Sequence, residues 1–232
     1  MNNIDNIDNI DNIYLTLTTM PERIISDHFF KVYNSLKNQS IKFKKLIINL
    51  SINEFTYNIP DYLQNDESVI LNETSVCGPC TKLLGSIDII PKNSIVIVLD
   101  DDIVFRKNFI QSLYYSYLIN PNNVSSHFIT QRPKFKEVAG FGGYIFNIDI
   151  VRNIKSYYET MPKCCEKIDD TWISWCFYKL NIEVFYTIDR NPWDNVLDIP
   201  NTDPHPDWYE LCKDTNRKKL TQEALLLLNS IE

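Results

Sequence analysis

Short apolar runs alternate along this chain with longer stretches that mix apolar and charged positions. The clearest apolar run is Ile95-Val96-Ile97-Val98-Leu99. It is continuous and β-branched, with no polar alternation. That pattern predicts a strand buried on both faces, as in the middle of a parallel sheet. Residues 13–19, closed by Met20-Pro21, and residues 45–50 read as further strands. Shorter strands are expected at 69–71, 128–130, 144–146 and 183–187. Helical periodicity marks 27–36, 107–119 (ended by Asn120-Pro121), 170–180 and 220–231. A helix is also expected over 79–88, with Pro79 in its first turn. The Pro- and Asn-punctuated stretch 57–67 reads as loop. Strands alternate with helices, so the fold class is α/β with a doubly wound, mostly parallel sheet. Residues 1–12 repeat Asn-Ile-Asp and are set aside as a low-complexity tail. Residues 13–232 are read as one domain.

Composition narrows the function. Of the 232 residues, 44% are hydrophobic and 12% aromatic, enough for a real core. A net charge of −7 and a pI near 5.0 leave no dense basic face, which excludes a non-specific nucleic-acid binder. An acidic protein that handles a phosphorylated substrate must neutralise it locally, and a divalent cation does this. The six cysteines are expected to be reduced, because a chain of this length does not need disulfides and shows no signal sequence. No apolar run reaches the roughly 18 residues of a membrane span. A cytoplasmic enzyme is the expectation.

The candidate chemistry starts where the strongest strand ends. Asp100-Asp101-Asp102 follows it directly, and ligands of open α/β sheets sit at the carboxyl ends of strands. A lone Asp there reads as a turn or cap residue. Three adjacent carboxylates repel one another and call for a cation. Oxygen ligands select a hard metal, Mg²⁺ or Mn²⁺. Ile-Val-Ile-Val-Leu-Asp-Asp-Asp resembles the D-x-D segment of GT-A glycosyltransferases. That resemblance implies a Rossmann-like nucleotide-diphospho-sugar transferase fold. It implies a metal at Asp102, with Asp100 as a further metal ligand, and Asp100 and Asp101 on the ribose side or holding a metal-bound water.

Four further segments carry the resemblance. Thr16-Leu17-Thr18-Thr19-Met20-Pro21-Glu22-Arg23 is similar to the opening segment of nucleotide-sugar transferases. It implies Thr18 near the nucleotide and Arg23 near a phosphate, although Arg23 also reads as a surface partner of Glu22. Gly78-Pro79-Cys80-Thr81-Lys82 resembles a donor-binding element and implies Lys82 near the pyrophosphate. Gly140-Phe141-Gly142-Gly143 holds three of only five glycines. It reads either as a tight bend or as a loop bordering donor and acceptor, and the resemblance falls on Gly142 and Gly143. Asp169-Asp170 opens a helix, where Asp is a common first-turn acid. The resemblance instead implies Asp170 as general base if the enzyme inverts, or as the residue that orients the acceptor if it retains, with Asp169 held in reserve for the same role. His205, between Pro204 and Pro206, matches a C-terminal metal ligand.

The implied reaction is sugar transfer from a nucleotide-diphosphate donor, UDP-sugar by preference, to a hydroxyl of a glycan, protein or lipid acceptor. Composition and motif spacing are also similar to transferases of large DNA viruses, which implies a host cytoplasm. Rival readings remain open. Asp100 and Asp102 also fit the first motif of haloacid-dehalogenase phosphatases. A nucleotide-sugar binding module without turnover is a second rival. A redox protein built on Cys77-Gly78-Pro79-Cys80 is a third, and it requires a low-pKa thiolate.

Overall fold

The computed structural model describes residues 12–188, 197–198 and 215–230. Strands β1 (Ile13–Thr18), β2 (Lys45–Ser51), β3 (Val69–Thr74) and β4 (Ile95–Val98) form one half of a sheet. Strands β6 (Val124–Ser126), β9 (Tyr144–Asn147) and β10 (Val184–Tyr186) form the other half. The seven strands run in the order β10-β6-β9-β4-β1-β2-β3. Pairing is parallel except on both sides of β9, which runs antiparallel to β4 and β6. The central strand β4 is fully buried from Val96 onward, as its apolar run predicts, but it has one parallel and one antiparallel neighbour.

The remaining strands are small. β5 (Val104–Phe105) pairs with β11 (Leu197–Asp198) just past the acidic triplet. β7 (Ile129–Gln131) and β8 (Lys136–Val138) form a separate hairpin. The strand expected at 128–130 therefore lies outside the main sheet.

Period-two alternation sends the sheet's side chains into two cores. Ile13, Leu15 and Leu17 of β1 and Ile97 of β4 face one side. There they meet α2 (Asp27–Lys37) and α5 (Phe109–Ile119). The first helix of this layer is well specified locally. Ser26 accepts the Phe29 amide, Asp27 lies in the first turn and Lys37 in the last, which suits the helix dipole. Tyr14, Val96 and Val98 face the other side, against α6 (Asp169–Lys179) and α7 (Thr215–Ser230). Helices α1 (Pro21–Ile24), α3 (Asp61–Gln64) and α4 (Thr81–Leu84) are single turns. The helix expected over 79–88 thus shrinks to α4. Gly85 follows it, and Asn49 packs where a Gly85 side chain would stand. The expected loop 57–67 contains α3, started by Pro60.

Candidate active site

The acidic triplet leaves the sheet where the parallel β1–β4 ladder ends. Leu99 still donates to the Thr16 carbonyl at 3.0 Å, and Asp100 donates instead to the Gly140 carbonyl at 3.2 Å. The chain turns, and the three carboxylates part company. Asp101 and Asp102 are buried. Asp101 pairs with the Arg23 guanidinium, whose Nη1 also lies 3.9 Å from Asp102 Oδ2. Burial pushes the Asp101 carboxyl up from its ordinary value, and Arg23 only partly counters this. Arg23 is placed by α1, where Pro21 supplies a preset first turn. On the triplet's other flank, buried His28 of α2 donates from Nε2 to the Asp102 carbonyl at 2.8 Å.

Asp100 faces the opposite way, toward Lys82. The Lys82 ammonium lies 2.8 Å from Asp100 Oδ1, 2.9 Å from Asp169 Oδ2 and 2.9 Å from Asp170 Oδ1. It is thus the meeting point of the triplet and the acids of α6. Burial alone would lower its pKa, but the three carboxylates hold it well above the ordinary lysine value. Asp170 completes the contact with its second oxygen, which accepts the Gly140 amide at 3.0 Å. Burial and the neighbouring Asp169 and Asp100 charges outweigh Lys82 and raise the Asp170 carboxyl to about 7. Neither acid caps α6: the N-cap is Ile168, with no side-chain cap bond.

Lys82 is held from behind as well. The Thr16 hydroxyl donates to the Lys82 carbonyl at 2.6 Å, and Asn49 Nδ2 donates to Thr16 Oγ1 at 2.9 Å. Asn49 Oδ1 accepts from Asn72 at 2.8 Å. This buried network is fully hydrogen-bonded, so it fixes the start of α4 without a desolvation penalty.

Each glycine of the 140–143 loop has a distinct environment. A Cβ on Gly140 would collide with Asp100 Oδ1 and Lys82 Nζ. Gly142 abuts the Phe128 ring, and Gly143, at φ +69°, abuts Phe109. Buried His127 donates from Nδ1 to the Gly142 carbonyl at 2.9 Å. The loop glycine that touches the acidic cluster is therefore Gly140, while Gly142 and Gly143 touch aromatic core.

The structure thus gathers Arg23, Lys82, Asp100, Asp101, Asp102, Asp169 and Asp170 at one end of the sheet. Thr18 lies at the end of β1, its hydroxyl donating to the Asn49 carbonyl at 2.9 Å. His205 lies outside the described residues. Gly140, His28, Tyr144 and the Thr16–Asn49 network were not assigned from sequence. Gly140 alone carried a signal, the glycine concentration itself. Tyr144 is fully buried, and its hydroxyl has no hydrogen-bond partner among the described residues. Its pKa is pushed well up by burial, and it interacts electrostatically with Lys82 and the three aspartates around it.

Among the described residues, no group of three or more His, Cys, Asp or Glu side chains is placed to hold a metal ion without other ligands. The donor chemistry nevertheless fits one. Five carboxylates stand against the cations Lys82 and Arg23, and Asp102 offers a hard oxygen ligand. Mg²⁺-type ions are ordinarily held by one or two carboxylates, with water and phosphate completing the shell. The thiols do not suit redox chemistry. Burial pushes both Cys77 and Cys80 up from the ordinary thiol value, the opposite of a reactive thiolate.

No family model and no curated protein matches the sequence. Among solved structures, the chain is similar to the crystal structure of TarS 1-349 from S. aureus, with a TM-score of 0.51 and 11% identity. That match covers 77% of this chain and 58% of the TarS chain, so this chain spans less than two thirds of it. It is also similar to 4-diphosphocytidyl-2C-methyl-D-erythritol synthase from Anaerococcus prevotii DSM 20548, with a TM-score of 0.53 and 9% identity. There 84% of this chain and 93% of the other are covered. At such identities the likeness is one of fold. The fold is that of nucleotide-sugar transferases and nucleotidyltransferases, with a mostly parallel central sheet flanked by helices. No helix among the described residues is long and apolar enough to cross a membrane.

Proposed function

We propose that this protein is a metal-dependent glycosyltransferase that moves a sugar from a nucleotide-diphosphate donor, UDP-sugar by preference, to an acceptor hydroxyl. The observation that carries this reading is the meeting of two acidic groups in a GT-A-type fold. Asp100, Asp101 and Asp102 leave β4, Asp169 and Asp170 open α6, and the two groups meet where Asp100, Asp169 and Asp170 converge on Lys82. A binding module needs no carboxyl tuned to about 7, whereas a general base at neutral pH does.

Asp102 would hold Mn²⁺ or Mg²⁺, with His205 as an expected further ligand. The metal would offset the charge that builds on the departing diphosphate. Arg23 lies beside Asp101 and Asp102 and adds a cation on the same side. The acceptor oxygen attacks the anomeric carbon as the bond from that carbon to the phosphate oxygen breaks. The bonding pair leaves with the nucleotide diphosphate, and Asp170 takes the acceptor's proton. Gly140 N–H and Lys82 keep the Asp170 carboxylate oriented for this step.

The test is calorimetric titration of UDP into the protein with Mn²⁺ and then with EDTA, beside Asp102→Ala. Binding that needs both the metal and Asp102 is expected, followed by slow hydrolysis of one UDP-sugar in a screen. Absence of binding for UDP, GDP and other nucleotides would sink the reading. Release of inorganic phosphate from phosphomonoesters would then favour the phosphatase, with Asp100 as nucleophile. Donor binding without turnover in any acceptor screen would favour the binding module.

A further inference from the structure

We propose that Lys82 is a positioning residue: its ammonium locks Asp169 and Asp170 of α6 against Asp100 of the triplet, and it does not contact the donor phosphates. The proposal rests on the transferase reading. The ammonium donates to Asp100 Oδ1 at 2.8 Å and to Asp170 Oδ1 at 2.9 Å, and Asp169 Oδ2 lies 2.9 Å away as a third ion-pair partner, outside hydrogen-bond geometry. Three carboxylates already surround the ammonium, so a phosphate would have to approach it against their charge. The side chain is only 4% exposed. Its main chain cannot yield, because Thr16 holds the carbonyl and Asn49 holds Thr16. Gly140 closes the remaining side at a distance that admits no side chain. The fully buried Tyr144 hydroxyl borders the same cluster, without a hydrogen-bond partner among the described residues. Arg23 contrasts with this: its side chain is 13% exposed and it lies on the Asp101 and Asp102 side. Of the two cations, Arg23 is therefore the one on the donor's side, while Lys82 determines where Asp170 stands.

The experiment compares Lys82→Met, Lys82→Arg and the charge-compensated Lys82→Met/Asp169→Asn with the unaltered protein. UDP affinity in Mn²⁺ is measured by calorimetry, and turnover is counted per binding-competent site. In all three variants the UDP Kd is expected to stay within about threefold while kcat falls about tenfold or more, a split that marks lost transition-state geometry rather than lost binding. Arginine is not expected to rescue, because its planar fork does not fit a pocket closed by Gly140. A residue that merely held phosphate would behave in the opposite way. The UDP Kd would weaken about tenfold with kcat at saturating donor unchanged, and Arg would restore binding. That outcome overturns the proposal. Should Lys82→Met fail to fold, the double variant, which keeps the charge balance, gives the same split. If the unaltered protein binds no nucleotide, the transferase reading falls, and the lock is judged by a thermal double-mutant cycle. Non-additive Tm losses for Lys82→Met and Asp170→Asn support it, and additive losses overturn it.

Discussion

Asp66 and Asp170 are the same side chain in opposite surroundings. Asp66, in the turn before β3, accepts from Lys37 at 2.8 Å, Tyr33 at 2.6 Å, and the Ser68 amide and hydroxyl, both at 2.8 Å. Slight burial pushes its carboxyl up, but these four donors hold it well below the ordinary carboxylate value. Asp170 shares a single lysine with two other carboxylates and is raised to about 7. A carboxylate saturated with donors is a structural fastening. One crowded by like charges at the end of a sheet is a candidate for chemistry.

The largest expected effect separates these two roles. Asp170→Asn should lower kcat by about 10²- to 10⁴-fold, the usual contribution of a general base, with donor Kd little changed. Asp66→Asn should leave kcat unchanged and cost about 1–3 kcal/mol, because donors in the β3 turn lose their acceptor. A normal kcat in Asp170→Asn would remove the proposed base.

The two lysines extend the contrast. Removing Lys82 leaves three carboxylates facing one another in a buried site. Lys82→Met should therefore cost about 3–5 kcal/mol in denaturant unfolding. Lys37, whose side chain is 34% exposed, pairs with a partly exposed partner. Lys37→Met should cost about 1 kcal/mol or less. Equal losses for the two would show that burial of the Lys82 cluster has no energetic consequence.

The pH dependence has opposite signs at the two sites. Asp66, depressed in the folded protein, contributes stability above the unfolded carboxyl pKa, and that stability is lost as pH falls through its lowered value. Asp170, raised in the folded protein, contributes stability that is fully present below the unfolded pKa and lost as pH rises through about 7. A Tm series from pH 4 to pH 8 should therefore fall less steeply in Asp170→Asn than in the unaltered protein. Asp66→Asn should show its full loss above about pH 4, where the unfolded carboxyl is ionised, and a shrinking loss as pH falls from there toward the lowered native value. If Asp170 is the proposed base, kcat/KM should rise through about pH 7 and then level.

The sequence reveals the two regions unequally. The apolar run before Asp100 marks the buried strand, and its end places the triplet at the carboxyl edge of the sheet. That much follows from periodicity. Asp169 and Asp170 were legible as first-turn acids, but their approach to Lys82 depends on β9 inserting antiparallel between β4 and β6. That arrangement leads through the hairpin of β7 and β8 to Gly140. Strands of three residues such as Val-Ser-Ser and Lys-Glu-Val carry no period long enough to read. The glycine cluster was visible, yet which glycine touches the carboxylates depends on tertiary packing against Phe128 and Phe109. Asp66 gave no signal at all, because its donors come from α2 and the turn before β3, joined only by the fold.

His28 offers the smallest test, and it bears on the triplet rather than on Asp170. It is one of three histidines, and its sequence setting has nothing to mark it. In the fold its Nε2–H meets the Asp102 carbonyl at 2.8 Å, inside a buried contact between α2 and the triplet. A backbone carbonyl that loses such a donor is left without compensation, at a cost of about 1–3 kcal/mol. His28→Phe should therefore lower stability by that amount and let the triplet loop shift. If Asp102 holds the metal, UDP affinity in Mn²⁺ should weaken several-fold, while binding in EDTA stays as it was. His28→Gln keeps an N–H donor of similar reach and should recover most of both losses. A variant that loses stability but keeps its metal-dependent affinity would confine His28 to the fastening role of Asp66. The geometry of Asp102 would then not depend on His28.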